Sequence, residues 1–202
     1  MPKISEHIKA TKDEPRIFLD ISTVKDKSGK IDLAKSNWRI IVDERTGMKF
    51  SDFFNRKIDM VEPTCQLLNK WKQAGIIVKY IRLDNAGENK KLEERADSAE
   101  WKLNINFEYT ARDTPQQNSL AELGFTILAA QARAMMSAAH VPEDIRNKGV
   151  WREAIKTATD LDALAAIDID GVVKPRVEHW SGKLPTYVNF LSTWGEAGTV
   201  TK

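Results

Sequence analysis

The order of apolar and polar positions predicts a protein whose strands come first and are then interleaved with helices. An apolar run over 16–24, interrupted only by Asp20, is typical of a strand buried on both faces. Two further apolar runs, 38–42 and 48–54, flank a turn at Gly47 and predict a hairpin. The remaining predicted strands cover 76–83 and 105–109.

Helical periodicity predicts four helices, over 61–74, 90–101, 123–136 and 142–164. Gly75 is a typical stop for the first of them. The third is apolar on every side, which predicts a buried helix. A hairpin followed by alternating helices and strands favours an α/β domain with a mixed sheet. We expect a flexible arm over 1–15, a core over 16–167, and an irregular C-terminal extension over 168–202 packed on the core.

The composition of the chain excludes only a few kinds of site and partner. The 202 residues carry a formal net charge of +2, so any nucleic-acid contact must come from local clusters of basic residues. Cys65 is the only cysteine, which excludes an internal disulfide and favours a reducing compartment. The three histidines and Cys65 are scattered, so we expect no zinc. No apolar run reaches transmembrane length and no signal peptide is evident, so no membrane partner is expected.

Three carboxylates lie within or next to apolar elements, where a charged side chain is unusual. Asp20 interrupts an apolar strand, Asp84 follows the end of another, and Glu122 lies at the start of the apolar helix. Taken singly, each has an ordinary explanation as a turn former, a helix cap or a partner of the helix dipole. Taken together, they could converge at one end of a sheet. They would then repel one another unless a divalent cation such as Mg²⁺ joined them.

Two sequence blocks around these acids carry a family resemblance. Arg82 to Glu88 is Arg-Leu-Asp-Asn-Ala-Gly-Glu, and Thr114 to Glu122 is Thr-Pro-Gln-Gln-Asn-Ser-Leu-Ala-Glu. Both resemble motifs in the integrase catalytic core of copia-type LTR retrotransposons, within the DDE transposase and retroviral integrase superfamily. Further likenesses follow at Ala132–Met136, Trp151–Ala154, Trp180–Pro185 and Trp194-Gly195, whereas the block around Asp20 is less specific.

The resemblance implies an RNase H-like fold, with a mixed five-stranded sheet flanked by helices. It also implies that Asp20, Asp84 and Glu122 are the catalytic and metal-binding triad, on the first strand, after the fourth strand and on a helix. The cofactor would be Mg²⁺ or Mn²⁺, as two ions about 3.5–4 Å apart. The implied reactions are 3′-end processing of element DNA and its strand transfer into target DNA, with phosphodiester chemistry of the endonuclease type.

The implied partner is double-stranded DNA, both element ends and target. Its candidate contacts are Asn85, Gln116, Gln117, Asn118, Lys90 and Lys91. Asn85 could instead orient Asp84 or serve only the turn, and Glu88 could be a supporting acid or a helix-terminal charge. The resemblance further implies a homodimer or higher oligomer, association with other integrase domains and polyprotein products, and action in the nucleus after a cytoplasmic virus-like particle. We expect a core rather than a whole integrase.

The chain departs from the family pattern at three places. Ala86 and Ser119 replace glycines, and Leu123-Gly124-Phe125 follows Glu122 where the family often has basic residues. Fewer phosphate contacts would weaken DNA affinity, and Gly124 would weaken the helix by about 1 kcal/mol relative to Ala. These departures support an alternative hypothesis, a degenerate or domesticated core that binds DNA or dimerises.

An RNase H is a third and weaker hypothesis, since we find no fourth acid for its site.

Overall fold

A five-stranded mixed sheet is the centre of the fold. The computed structural model describes residues 14–25, 35–110, 119–191 and 194–195. The strands of the main sheet are β1 Arg16–Thr23, β2 Asn37–Asp43, β3 Lys49–Phe54, β4 Tyr80–Asp84 and β5 Asn106–Thr110. Their order in the sheet is β3-β2-β1-β4-β5. The sequence-based prediction of an α/β fold with a mixed five-stranded sheet is therefore confirmed.

Strand direction divides the sheet into two halves. β2 pairs antiparallel with both β1 and β3, with Asp43 opposite Ile17, and β2 and β3 form the predicted hairpin. β4 pairs parallel with both β1 and β5, with Arg16 opposite Tyr80. The carboxyl ends of β1, β4 and β5 consequently lie at one edge of the sheet, where open α/β sheets usually carry their sites.

Helices cover both faces of the sheet. They are α1 Val61–Gln73, α2 Gly87–Ala96, α3 Ser119–Ala138, α4 Glu143–Ile145, α5 Trp151–Ala163 and α6 Arg176–Ser181. A 3₁₀ turn, Lys57–Met60, leads into α1. α1 ends as predicted: Gly75 is left-handed (φ +79°), and the Ile76 N–H donates to the Trp71 carbonyl at 2.9 Å, a Schellman motif.

Each face of the sheet has its own hydrophobic core. On β1, Ile17, Leu19 and Ile21 pack in the core that contains residues of α1 and α2. Phe18, between them, packs in the core that contains residues of α3 and α5. The strand is thus buried on both faces, as its continuous apolar run predicted.

The prediction that the apolar helix is buried on all sides is wrong. α3 buries a single stripe, Ala121, Gly124, Leu128, Ala132 and Met136. Leu123, on another side of the helix, is 52% exposed. The sequence pattern could not distinguish a helix buried on all sides from one buried along a single stripe. It shows which positions are apolar, but not how many sides of the helix contact other elements.

Several predicted elements have different bounds in the structure. The strand predicted over 76–83 begins only at Tyr80, because its pairing with β1 begins there, and Ile77 is 63% exposed. The helix predicted over 90–101 is α2, which begins three residues earlier. The helix predicted over 142–164 is interrupted by a π-helical turn, Arg146–Val150, which contains Gly149 at φ +101°. An α-helix does not accommodate that φ.

The extension is more regular than predicted. It contains a hairpin, β6 Ala166–Ile169 with β7 Val172–Pro175, then α6 and a 3₁₀ turn, Thr186–Phe190. Trp180 of α6 packs against Phe50 and Trp71, with ring centroids 5.6 and 5.2 Å away.

An ion pair and a backbone contact add to this attachment. Arg176 Nε lies 3.6 Å from Asp162 Oδ2 of α5, and Arg176 Nη1 donates to the Thr46 carbonyl at 2.8 Å. Gly47 has a φ of +65°, which favours glycine in this turn, and Arg176 Nη1 packs where a Cβ at this position would lie.

The predicted division into an arm, a core and an extension stays a prediction. All of the arm except residues 14 and 15 lies outside the described residues. Within the part of the chain that the structure describes, no helix is both long and apolar enough to cross a bilayer.

The contact of Trp180 with Phe50 and Trp71 predicts that the extension stabilises the sheet and α1. Truncation of a buried Trp costs about 3–5 kcal/mol, and we expect Trp180→Ala to lie near the lower figure because the ring is only partly buried. Chemical denaturation measures this change. Val173→Ala is the control: Val173 is 67% exposed, so its loss should stay within about 0.5 kcal/mol. Equal losses for the two variants would contradict the packing.

Candidate active site

Asp20 lies near the carboxyl end of β1 and points to the face covered by α3. Strand alternation determines this, because its neighbours Leu19 and Ile21 point to the opposite core. The carboxylate Oδ1 accepts the Ile21 N–H at 2.7 Å. Burial raises the pKa of the Asp20 carboxyl, the Ile21 N–H lowers it, and the charges of Asp84 and Glu122 raise it.

Asp84 is the last residue of β4 and has several hydrogen-bond donors around it. Its Oδ1 accepts Asn89 Nδ2 at 2.5 Å and the Ala86 N–H at 3.3 Å. Asn89 Nδ2 also lies 3.1 Å from the Asp84 carbonyl. Ala86 adopts φ −83° and ψ 157° as the N-cap of α2. No left-handed backbone is needed at this position, so replacement of a glycine by Ala86 does not disturb the turn.

Glu122 is exposed in the first turn of α3. Two of the three residues after it hold the helix on the sheet. A Cβ at Gly124 would lie 2.7 Å from Ile40 Cδ1, so the helix approaches β2 this closely only because that residue is glycine. Phe125 packs edge-on against Trp38, with ring centroids 4.7 Å apart at 79°. Gly124 and Phe125 therefore have packing roles that the sequence did not reveal.

The three candidate acids lie around the same edge of the sheet. β1 and β4 pair parallel with Phe18 opposite Arg82, so Asp20 and Asp84, each two residues further along, lie level on neighbouring strands. Glu122 is in the first turn of α3, on the face to which Asp20 points, and the charges of both other acids raise the pKa of Asp20. Among the described residues, however, no three His, Cys, Asp or Glu side chains are close enough to hold one metal ion. Like charges repel, and Asp20 and Asp84 each bind a nearby N–H instead. The donor set is nonetheless all carboxylate oxygen, which suits a hard divalent cation.

The sequence-based prediction missed Lys57. This residue begins the 3₁₀ turn after β3, and its charge lowers the pKa of Asp20. Its Nζ lies 3.8 Å from Glu88 Oε1, so Glu88 faces a cation rather than the other acids. No sequence signal marks Lys57, because 37 residues separate it from Asp20 and only the fold brings them together.

The predicted DNA contacts have a mixed outcome. Asn85, Lys90 and Lys91 are exposed, and their role stays a prediction. The alternative that Asn85 orients Asp84 is not supported, because the amide that contacts this carboxylate belongs to Asn89. Gln116, Gln117 and Asn118 lie outside the described residues.

Comparisons with known proteins define the class of fold. No protein-family model and no curated protein matches the chain. A chain of the simian T-cell lymphotropic virus intasome, solved with PP2A regulatory subunit B56 gamma, matches with TM-score 0.59 and 18% identity. The match covers 93% of this chain, which spans only 59% of that one. The HTLV-2 integrase catalytic core domain, in complex with magnesium in a trimeric form, matches with TM-score 0.53 and 15% identity. That second match covers 82% of this chain and 95% of the HTLV-2 chain.

The chain accordingly has the RNase H-like fold found in integrase catalytic cores. At these identities the likeness defines the architecture alone. The chemistry of a protein with this fold depends on the residues at its site.

The raised pKa of Asp20 predicts a pH-dependent stability of the metal-free protein. The folded state binds this proton more tightly than the unfolded state, so stability falls as pH rises from the unfolded pKa through the raised folded pKa. Asp20→Asn should therefore raise the melting temperature near pH 7 and give no gain near pH 3. Calorimetry with a chelator present measures both. Glu94→Gln, at an exposed position on α2, is the control. An equal gain at both pH values would show that the effect is not electrostatic.

Proposed function

We propose that this chain is the metal-dependent catalytic core of a DNA integrase, with Asp20, Asp84 and Glu122 as its metal-binding acids. One geometric observation carries the proposal: Asp20 and Asp84 lie level on neighbouring parallel strands, in the register that pairs Phe18 with Arg82. Glu122 is in the first turn of α3, which covers the face of β1 on which Asp20 lies. Three acids from two strands and a helix thus face one edge of a sheet. A protein gains nothing in stability from such an arrangement of like charges, whereas a divalent cation would turn the repulsion into attraction.

The chemistry of the donors supports Mg²⁺ or Mn²⁺ as the cofactor. All three candidate ligands are carboxylates, which suit hard cations. Magnesium is also present in the HTLV-2 core that shares this fold. When bound, such cations supply Lewis-acid polarisation of a phosphoryl oxygen and activation of water or a DNA 3′-hydroxyl. The number of ions, two by family resemblance, is part of the proposal.

The chain's own residues would perform three tasks at this edge. The triad would hold the cations and so fix where the reacting phosphate lies. Lys57, already beside Asp20 and 44% exposed along its side chain, would contact a DNA phosphate. Lys90 and Lys91, both exposed on α2, would add contacts to the same DNA.

The wider assignment rests on the sequence blocks around Asp84 and Glu122. They support a copia-type element, with 3′-end processing and strand transfer as the reactions. Element ends and target DNA would be the substrates, and a dimer or higher oligomer the working form. Association with other integrase domains and polyprotein products, and action in the nucleus after a cytoplasmic virus-like particle, belong to the same proposal.

A second candidate function is a non-catalytic core that binds DNA or dimerises. The exposed Leu123 favours it, because the family often has basic residues just after the catalytic glutamate. Gly124 and Phe125 no longer favour it, since both pack on β2. The two functions differ in whether the chain binds a divalent cation through the triad.

Substitution of one triad acid distinguishes the two functions. Asp84→Asn should lower strand transfer of an end-mimicking oligonucleotide by more than about 100-fold, because even outer partners of a metal ligand contribute 10–100-fold. Mn²⁺ binding, followed by titration calorimetry, should fall with it. Asp97→Asn, at an exposed aspartate beyond α2, is the matched control and should keep both. Wild-type protein that binds no Mn²⁺ would favour the non-catalytic core, and full activity of Asp84→Asn would contradict the triad.

The proposed phosphate contact of Lys57 predicts a change in salt dependence. Lys57→Ala should reduce the slope of log affinity for duplex DNA against log salt by about 0.9, the value for one phosphate contact. Lys156→Ala is a matched control, because Lys156 also has an acidic partner at 3.8 Å and an exposed side chain. Fluorescence anisotropy over a salt series measures both slopes. An unchanged slope for Lys57→Ala would exclude the contact.

A further inference from the structure

Asn89 differs from the other polar residues around the candidate site in being almost completely buried. Its exposure is 1%, among the lowest of any polar side chain in the described part of the chain. It lies in the first turns of α2, beside Leu92, which packs in the core. An apolar residue of similar size could be buried at this position without the cost of burying a polar group. The amide therefore needs an explanation other than burial.

The amide of Asn89 makes its contacts with one residue. Nδ2 lies 2.5 Å from Asp84 Oδ1 and 3.1 Å from the Asp84 carbonyl, so it bridges the carboxylate and backbone of the same residue. The other amide atom, Oδ1, is buried and has no hydrogen-bond partner among the described residues. The reversed amide would set that oxygen against the carboxylate. The orientation is therefore determined by Asp84, at the expense of an unsatisfied buried oxygen.

We propose that Asn89 is a positioning residue, which fixes the carboxylate of Asp84 at the sheet edge for ligation of the divalent cation. The inference rests on the proposed function and adds to it the residue that orients one of the ligands. Outer-shell hydrogen bonds of this kind orient ligating carboxylates in metal sites. The preceding residue, Glu88, faces Lys57 at 3.8 Å. Two consecutive residues of α2 thus contact two different groups of the site.

Mn²⁺ binding tests the role of the contact. Asn89→Leu keeps a buried side chain of similar size but removes the donor. The Mn²⁺ dissociation constant, from titration calorimetry, should rise about 10–100-fold. Asn106→Leu, the same change at an exposed position at the start of β5, is the control and should leave the constant unchanged. Equal affinities of Asn89→Leu and wild-type protein would overturn the proposal.

A second measurement needs neither metal nor activity, and it leaves Asn89 in place. In metal-free protein, NMR of the Asn89 side-chain amide should show a shifted signal and faster hydrogen exchange after Asp84→Ala, because the amide loses both its carboxylate acceptor and its protection. Asp84 is exposed, so this variant should fold. An unaltered Asn89 amide would overturn the inference. Absence of Mn²⁺ binding to wild-type protein, with an amide that does respond, would overturn the proposed function and leave the positioning contact established.

Discussion

The close approach of α3 to the sheet is the contact on which the candidate site depends. It is possible because residue 124 has no side chain: a Cβ there would lie 2.7 Å from Ile40 Cδ1 and 3.2 Å from Val42 Cγ2. A glycine inside a helix costs about 1 kcal/mol relative to alanine. Here that local cost accompanies a packing gain, since the stripe through Gly124 seats the helix on β2. Glu122, one half-turn away, is thereby brought to the edge where β1 and β4 end.

Electrostatic repulsion at that edge is the second constraint. The fold places Asp20 where burial and the charges of Asp84 and Glu122 all raise its pKa. Partial relief comes from donors on separate elements: the Ile21 N–H, Lys57 and Asn89. Lys57 is held near the acids by an ion pair that is loose and half-exposed. An arrangement of like charges costs stability, and carboxyl groups with shifted pKa values cluster at functional sites.

The sequence predicted those features that depend on a few adjacent residues. The β2–β3 hairpin, the stop of α1 at Gly75 and the position of Asp84 at a strand end all follow from local patterns. Features set by distant neighbours could not be predicted. The exposed side of α3 depends on how many layers cover it, and the late start of β4 depends on where β1 begins to pair with it. Asn89 lies just outside the helix predicted over 90–101, and only the turn after β4 directs its side-chain amide towards Asp84.

The departures from the copia-type pattern therefore differ in how strongly each supports a degenerate site. Ala86 occupies an extended N-cap conformation that any residue can adopt. Gly124 and Phe125 are explained by their contacts with β2, so neither argues for a degenerate site. Leu123 alone of the three is 52% exposed, at a position where the family resemblance implies a basic residue. Lys57 provides a cation at the same edge from a different element. Loss of one phosphate contact on α3 is consequently not equivalent to loss of DNA binding, because a phosphate can be neutralised by a cation from any element that faces it.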